Sequence, residues 1–174
     1  WTFDRQYFGG IINDLASHQI DQFLYFTNST SAEVVSATVG NFKHPQYPLM
    51  HDMGDVTVRS PHAVGHIRVD WLTPKGLSTW GDVRLFITGT EGYIEVRKNV
   101  DIAGREGENH LFLVDDAEMQ YIDSSDAEIV YGKQLIDDIL NRTETAQPQA
   151  HAFLASELAL KAEAMAIDLT NLAD

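Results

Sequence analysis

Residues Gly9–Asp21 read GGIINDLASHQID, and the rest of the chain is organised around this stretch. Apolar residues recur in it at the spacing of one buried helix face, which predicts a helix from about residue 11 to about residue 26. Asp14, His18 and Asp21 stand at i, i+4 and i+7, so such a helix places their side chains on one stripe. A carboxylate one turn from an imidazole orients the ring and favours its protonated form. The stripe is therefore a candidate site for proton transfer.

Other interpretations of the same stretch stay open at this point. The glycine pair allows another backbone or a ligand to approach the start of the helix closely. A metal site built from Asp14, His18 and Asp21 is conceivable, because carboxylate and imidazole suit several divalent ions. The plain alternative is a solvated helix face on which Asp14 and His18 form an incidental pair. A nucleophilic triad with Ser17 is excluded, since neighbours on a helix point in different directions.

Composition excludes several classes of function. The chain has 174 residues, enough for one domain with a proper core and too few for two ordinary domains. A formal net charge of −14 argues against nucleic acid and against membrane surfaces as partners. There is no cysteine, which excludes disulfides, thiolate metal sites and a thiol nucleophile. No apolar run is long enough for a membrane span and no signal peptide is visible, so we expect a cytoplasmic protein.

The predicted elements follow the order helix, run of strands, helices, which is typical of an α+β fold and not of alternating βαβ units. Period-two alternation and turn signals predict strands at Glu33–Gly40, Asp55–Ser60, Val64–Leu72, Val83–Gly89, Tyr93–Lys98, Leu111–Val114 and Met119–Ile122. Helices are predicted over Ala127–Asn141 and from near Pro148 onward. The last helix has a predicted apolar stripe at Leu154, Leu158, Met165, Leu169 and Leu172.

Two segments between these elements are predicted to be loops. Lys43–Gly54 holds two prolines, a glycine and clustered polar rings, and its His44 and His51 are expected at the surface, although either could reach a substrate. Asn99–Asn109 is charged and glycine-rich and is expected to be exposed and mobile. The remaining histidines are expected to be structural or exposed.

Three motifs together resemble the C-terminal domain of the Gfo/Idh/MocA oxidoreductases, the superfamily of glucose–fructose oxidoreductase and inositol dehydrogenase. The first is the Gly-Gly, short gap, Asp-x-x-x-His-x-x-Asp of Gly9–Asp21. The other two are VDWLTPKGLSTWGD at Val69–Asp82 and LFITGTEGYIEVRK at Leu85–Lys98, which are similar to strands of the family's sheet. The motifs occur in the family's order, and the resemblance runs over nearly the whole chain.

The resemblance implies that residues 1–174 are one C-terminal substrate and oligomerisation domain, with a large, mainly antiparallel open sheet and helices packed on one face. His18 would accept the proton of a substrate hydroxyl, and Asp14 would orient His18 or hydrogen-bond the substrate. The implied substrate is a sugar, polyol or related alcohol, and the implied cofactor is NAD or NADP. The implied assembly is a homodimer or tetramer formed through the open sheet face. The family usually works without a metal.

The cofactor is expected to bind mainly outside this chain. No Gly-x-Gly-x-x-Gly follows a predicted strand, and no βαβ unit could carry one. The nucleotide-binding half that family members place first, with its Glu-Lys-Pro segment, is therefore expected to precede this sequence in a longer protein.

A second pair of candidate residues lies beside a predicted strand. Trp80 and Asp82 flank the end of a turn and could line a sugar pocket, and sheet packing at a hairpin end is the plainer explanation. A different class of function also remains open, namely a non-catalytic sheet domain for binding or oligomeric assembly. In that case Asp14 and His18 would have no chemical role.

Overall fold

The computed structural model describes residues 3–170, which divide into two compact units. We call the described part of Trp1–Leu72 and Tyr131–Asp174 the helical unit, and Thr73–Val130 the sheet unit. The α+β class with mainly antiparallel open sheets is confirmed, and the strands form two sheets of four, one in each unit. None of the helices within residues 3–170 is long and apolar enough to cross a membrane.

The helical unit begins with a short helix that the sequence did not predict, and the predicted first helix follows it in two parts. A short helix α1 (Arg5–Phe8) is followed by a π-helical segment, Ile12–Ala16, and directly by α2 (Ser17–Phe26). The apolar positions of the pattern form the buried face, because Ile12, Ala16, Ile20 and Leu24 are almost completely inaccessible. Burial of this face is the main stabilisation of the helix.

The sheet of the helical unit has the order β3-β2-β1-β8. Its strands are β1 (Glu33–Gly40), β2 (Met53–Arg59), β3 (Val64–Asp70) and β8 (Ile167–Asp168). The first three pair antiparallel, and β8 pairs parallel with β1. Alternation gives the sheet one apolar face, where Val56, Val58 and Ile67 join the core beneath the helices.

Two further helices complete the helical unit, α3 (Tyr131–Asn141) and α4 (Gln149–Met165). The predicted stripe of the last helix is wrong at its end, because α4 ends at Met165 and Leu169 lies beyond it, donating its N–H to the Val39 carbonyl at 2.8 Å. Leu172 lies outside the described residues. The buried face of α4 consists of one leucine and three alanines, whose small side chains let α4 approach α2 and β1 closely: Ala155, Leu158, Ala159 and Ala162.

The sheet unit is an antiparallel meander in the order β4-β5-β6-β7. Its strands are β4 (Val83–Thr88), β5 (Gly92–Lys98), β6 (Asn109–Asp115) and β7 (Met119–Asp123). Strand register places aliphatic side chains on one face, all of them half-buried: Leu85, Ile87, Ile94, Val96, Leu111, Leu113 and Ile122. The other face carries aromatic and charged side chains, including Arg97, whose guanidinium lies 5.0 Å from the centre of the Phe112 ring.

The loop between β5 and β6 departs from its prediction at one residue. Most of it is exposed as expected, but Asp101 is only 4% exposed. Its carboxylate accepts hydrogen bonds from the Ala103 amide at 2.9 Å and the Arg97 guanidinium at 2.7 Å. These bonds hold the pKa of Asp101 far below its usual value. The loop is therefore anchored to the sheet by a buried ion pair.

Candidate active site

The glycine pair opens the helix with backbone that an ordinary residue adopts only under strain. Gly9 and Gly10 have φ of +77° and +96°, the left-handed region that favours glycine. A Cβ atom added to Gly10 would lie 1.9 Å from Oε1 of Glu163, a residue of α4. The Glu163 carboxylate also accepts the N–H of Ile12 at 3.3 Å. The space that the sequence assigns to a backbone or a ligand is thus filled by a carboxylate from the same chain.

Asp14 and His18 follow this helix start, and they interact through their charges. Burial raises the pKa of the Asp14 carboxyl, and the neighbouring His18 acts in the opposite direction. Asp14 is half-buried, whereas the His18 side chain is exposed. Among the described residues the two side chains form neither a hydrogen bond nor an ion pair. An accessible imidazole beside a partly desolvated carboxylate is an arrangement that can accept and hold a proton.

The backbone between these two residues is not the ideal α-helix that the sequence pattern assumes. Ile12–Ala16 is π-helical, and a π-helix closes its turns with i→i+5 hydrogen bonds. The segment that contains Asp14 therefore departs from the ideal i, i+4 alignment with His18 that an α-helix would give. Single π-helical turns occur frequently at functional sites.

Asp21, the third member of the predicted stripe, has a different role. Its Oδ1 is hydrogen-bonded to Nε2 of Gln147 and to Nε2 of His151, each at 2.7 Å. Asp21 thus ties α2 to the start of α4 instead of acting with Asp14 and His18. His151 was expected to be structural or exposed, and this ion pair gives it a structural contact.

Trp80 and Asp82 belong to the sheet unit, whereas Asp14 and His18 belong to the helical unit. The Trp80 side chain is 77% exposed, and its carbonyl accepts the Thr73 hydroxyl at 2.9 Å. The Asp82 carboxylate accepts two hydrogen bonds from Arg84, at 2.8 Å from Nε and 3.0 Å from Nη2. Arg84 was not singled out from the sequence, although it stands two positions away on the adjoining strand.

The loop before β2 places each of its two histidines beside a carboxylate. His51 is 5% exposed, so the expectation that it lies at the surface is wrong. The carboxylate of the fully buried Asp52 accepts the amides of Phe42 and Lys43 and contacts Nδ1 of His44 at 3.0 Å. Although burial acts to raise it, these hydrogen bonds keep the pKa of Asp52 below its usual value. The loop folds around the Asp52 carboxylate because its buried backbone amides need an acceptor there.

His51 lies between two carboxylates. Its Nδ1 is 3.6 Å from Oε1 of Glu163, and its Nε2 is 3.7 Å from Oδ2 of Asp168. No sequence signal predicted this grouping, because Glu163 looks like an ordinary polar position of an alanine-rich helix.

The residues of this site determine whether a metal ion or a dinucleotide could bind there. Within residues 3–170, no group of three or more histidine, aspartate and glutamate side chains is arranged to hold a metal ion. The pyrophosphate of a dinucleotide favours a glycine-rich helix start. Here that place is taken by the Glu163 carboxylate, which would repel a second anion. The helix start after Gly10 therefore does not fit the phosphates of NAD or NADP.

Comparison with known proteins shows the family to which the chain belongs. A family model described as "GFO/IDH/MocA C-terminal domain" matches residues 1–95. A protein from Erwinia carotovora atroseptica, named as an oxidoreductase, has a solved structure that is 41% identical, with a TM-score of 0.94 over 98% of this chain and 51% of its own. No curated protein was found to match. The chain belongs to the GFO/IDH/MocA C-terminal domain family.

Two further solved structures share the fold at lower identity. One is a protein from Thermotoga maritima, also named as an oxidoreductase, with 22% identity and a TM-score of 0.79 over 95% of this chain and 47% of its own. The other is a 3-ketoreductase from Actinomadura kijaniata in complex with TDP-benzene and NADP, with 10% identity and a TM-score of 0.64 over 94% of this chain and 49% of its own. The chain thus spans about half the length of the solved structures that it matches.

Proposed function

We propose that this chain is the substrate-side domain of an NAD(P)-dependent oxidoreductase that transfers hydride between a nicotinamide cofactor and a sugar, polyol or related alcohol. The observation that carries the proposal is the placement of the half-buried Asp14 and the exposed His18, four residues apart, directly after the left-handed glycine pair. Membership of the oxidoreductase domain family supports it.

In the proposed reaction His18 accepts the proton of the substrate hydroxyl. The O–H bond of the alcohol breaks and an N–H bond forms on the imidazole, which becomes positively charged. Asp14 stabilises that charge, and its partial burial strengthens the interaction because fewer waters screen it. In the reverse direction the same imidazolium returns the proton to the oxygen of the carbonyl.

The nicotinamide cofactor would supply hydride transfer in the full-length protein. Glu163 fills the helix start of this chain, so we place the cofactor's phosphates mainly on a region outside it. The 3-ketoreductase that shares the fold was solved with NADP, and we extend a nicotinamide cofactor to this protein as part of the proposal.

Trp80 and Asp82 are proposed contacts for the substrate. The exposed indole of Trp80 offers an apolar face on which a sugar ring can stack. Asp82 offers carboxylate oxygens to hydroxyl groups, although Arg84 already binds both of them. A substrate hydroxyl at Asp82 would therefore share the carboxylate with Arg84.

The proposal is tested in the full-length protein with a panel of aldoses and polyols and either NAD or NADP. We expect His18→Ala to lower kcat by about a hundred- to ten-thousandfold, the range of general acid–base catalysis, and to change KM much less. His66→Ala is the matched control, since His66 is an exposed histidine on the sheet. Near-normal turnover of His18→Ala at neutral pH would contradict the assignment.

A non-catalytic domain for binding or assembly is the second candidate function. The half-buried aliphatic face of the sheet unit favours it, because the described residues of that unit include no helix that could cover the face. In that case His18→Ala would leave every property of the full-length protein unchanged, while substitutions on the sheet would alter its assembly.

A further inference from the structure

Glu163 contacts the helix start, where the glycine pair leaves room for its side chain. Its carboxylate accepts the Ile12 N–H at 3.3 Å and lies within 3.6 Å of Nδ1 of the buried His51. The Glu163 side chain is itself only 12% exposed. The helix start is thus held by an acid that approaches it from α4.

The location of this contact connects it with the candidate active site. Ile12 is the first residue of the π-helical segment that contains Asp14, and the Asp14 amide donates to the Gly10 carbonyl at 3.0 Å. A negative charge at the N-terminal end of a helix is favourable, because the free amides and the helix dipole face it. Displacing the carboxylate would release the turn from which Asp14 projects.

We propose that Glu163 is a positioning residue for the Asp14–His18 pair, acting through the Gly10–Ile12 backbone without touching the substrate. This inference rests on the proposed function, in which His18 accepts the substrate proton and Asp14 stabilises the resulting charge. This role of Glu163 also explains why residue 10 is a glycine, since any larger residue there would occupy the position of the Glu163 carboxylate. His51, from the loop before β2, contacts the same carboxylate.

The first experiment needs no substrate. Carbon-13 NMR of this chain measures the titration of the Asp14 carboxyl and the Cα shifts of Asp14 and His18. We expect both to change in Glu163→Ala and in Gly10→Ala, because each displaces the Glu163 carboxylate, and to change more in Gly10→Ala, because alanine is also strained at a φ of +96°. Glu157→Ala is the matched control, an exposed glutamate of α4 paired with Lys161. Unchanged Asp14 and His18 signals in the two single variants would overturn the inference.

The second experiment separates positioning from stability in the full-length protein. We expect Glu163→Ala to lower kcat by up to about a hundredfold, the scale of a misplacement near 1 Å, with KM changed less than about threefold. Glu163→Gln keeps an oxygen that can accept the Ile12 N–H, so it should restore most of kcat. A Glu163→Gln variant as slow as Glu163→Ala, with the same melting temperature as the unaltered protein, would contradict positioning through that hydrogen bond.

Including His18→Ala in the same assay distinguishes the two proposals. Loss of turnover in His18→Ala with normal turnover in Glu163→Ala overturns the role of Glu163 and leaves the proposed function standing. Normal turnover in His18→Ala overturns the proposed function, and the NMR shifts then decide separately whether Glu163 positions the pair. Should Glu163→Ala fail to fold, Gly10→Ala displaces the same carboxylate, whereas Glu163→Gln keeps an acceptor for the Ile12 N–H, and these two variants are compared instead.

Discussion

Asp14 shows at the scale of one residue how a candidate active site opposes stability. Burial raises the pKa of its carboxyl, which means that the fold favours the neutral form over the charged one. A carboxyl with a raised pKa contributes stability below its unfolded pKa, and that contribution is lost as the pH rises through the folded value. At neutral pH the charged Asp14 therefore destabilises the helical unit slightly.

We accordingly expect Asp14→Asn to raise the melting temperature at pH 7 by about 1–2 °C, since a neutral amide avoids the cost of a partly buried charge. The difference should shrink toward pH 3, where Asp14 is protonated in both states. Thermal unfolding followed by circular dichroism at both pH values measures this, with the exposed Asp116→Asn as control. A lower melting temperature for Asp14→Asn at pH 7 would show that its attraction to His18 outweighs the burial.

At the scale of one element, a buried acid of helix α3 holds the segment that follows the helix. Asp138 is buried, and its carboxylate accepts the Ala146 amide at 2.8 Å, the Thr143 hydroxyl at 2.6 Å, and both the amide and the hydroxyl of Thr145. These bonds hold the pKa of Asp138 far below its usual value. The carboxylate thereby fixes the connection from α3 to α4.

Asp138→Ala should lower the melting temperature by about 2–4 °C at pH 7, the scale of a lost helix cap in a chain of this length. Because the folded pKa is lowered, the contribution of Asp138 is present above its unfolded pKa near 3.8 and is lost as the pH falls through the folded value. The deficit should therefore be smaller in acid. Calorimetry at pH 7 and pH 3 tests this, and the exposed neighbour Asp137→Ala should behave like the unaltered chain.

At the scale of the whole molecule, the two units differ in how they cover their apolar surface. The cluster of fully buried core residues lies in the helical unit, where helices pack on one face of the sheet. In the sheet unit the aliphatic side chains are only half-buried. Phe86 and Tyr93 stack on the opposite face, and Phe86 is 58% exposed. Large apolar patches of this kind usually mark interfaces.

We propose that the chain forms a homodimer, or a tetramer built from dimers, through the open sheet face, with closed twofold symmetry. Light scattering should give at least twice the mass of one chain. Ile94→Glu, on the aliphatic face, and Phe86→Glu or Tyr93→Glu, on the aromatic face, should each be compared with the unaltered chain. The face whose variants reduce the mass is the interface, and a strictly monomeric unaltered chain at tens of micromolar would contradict the assembly.

Local periodicity was enough to predict most elements, and the resemblance of three motifs indicated the family. The Gly9–Asp21 stretch indicated the first helix and its buried side, and alternation indicated β1 to β7, because neighbouring residues determine which side of a helix or strand each side chain faces. The pattern Asp-x-x-x-His also sufficed to place Asp14 and His18 as candidates. These features depend on a few consecutive residues, so the sequence alone determined them.

Contacts between distant segments were decided only by the tertiary structure. Glu163 reaches Ile12 across 151 positions of sequence, and His151 reaches Asp21 across 130. The division of the strands into two sheets was likewise decided by pairing between segments and not by any local pattern. Periodicity within a window records which side of an element is buried, but not which residue covers it. The partner is selected when the chain packs, where shape and charge must match across segments that no local pattern connects.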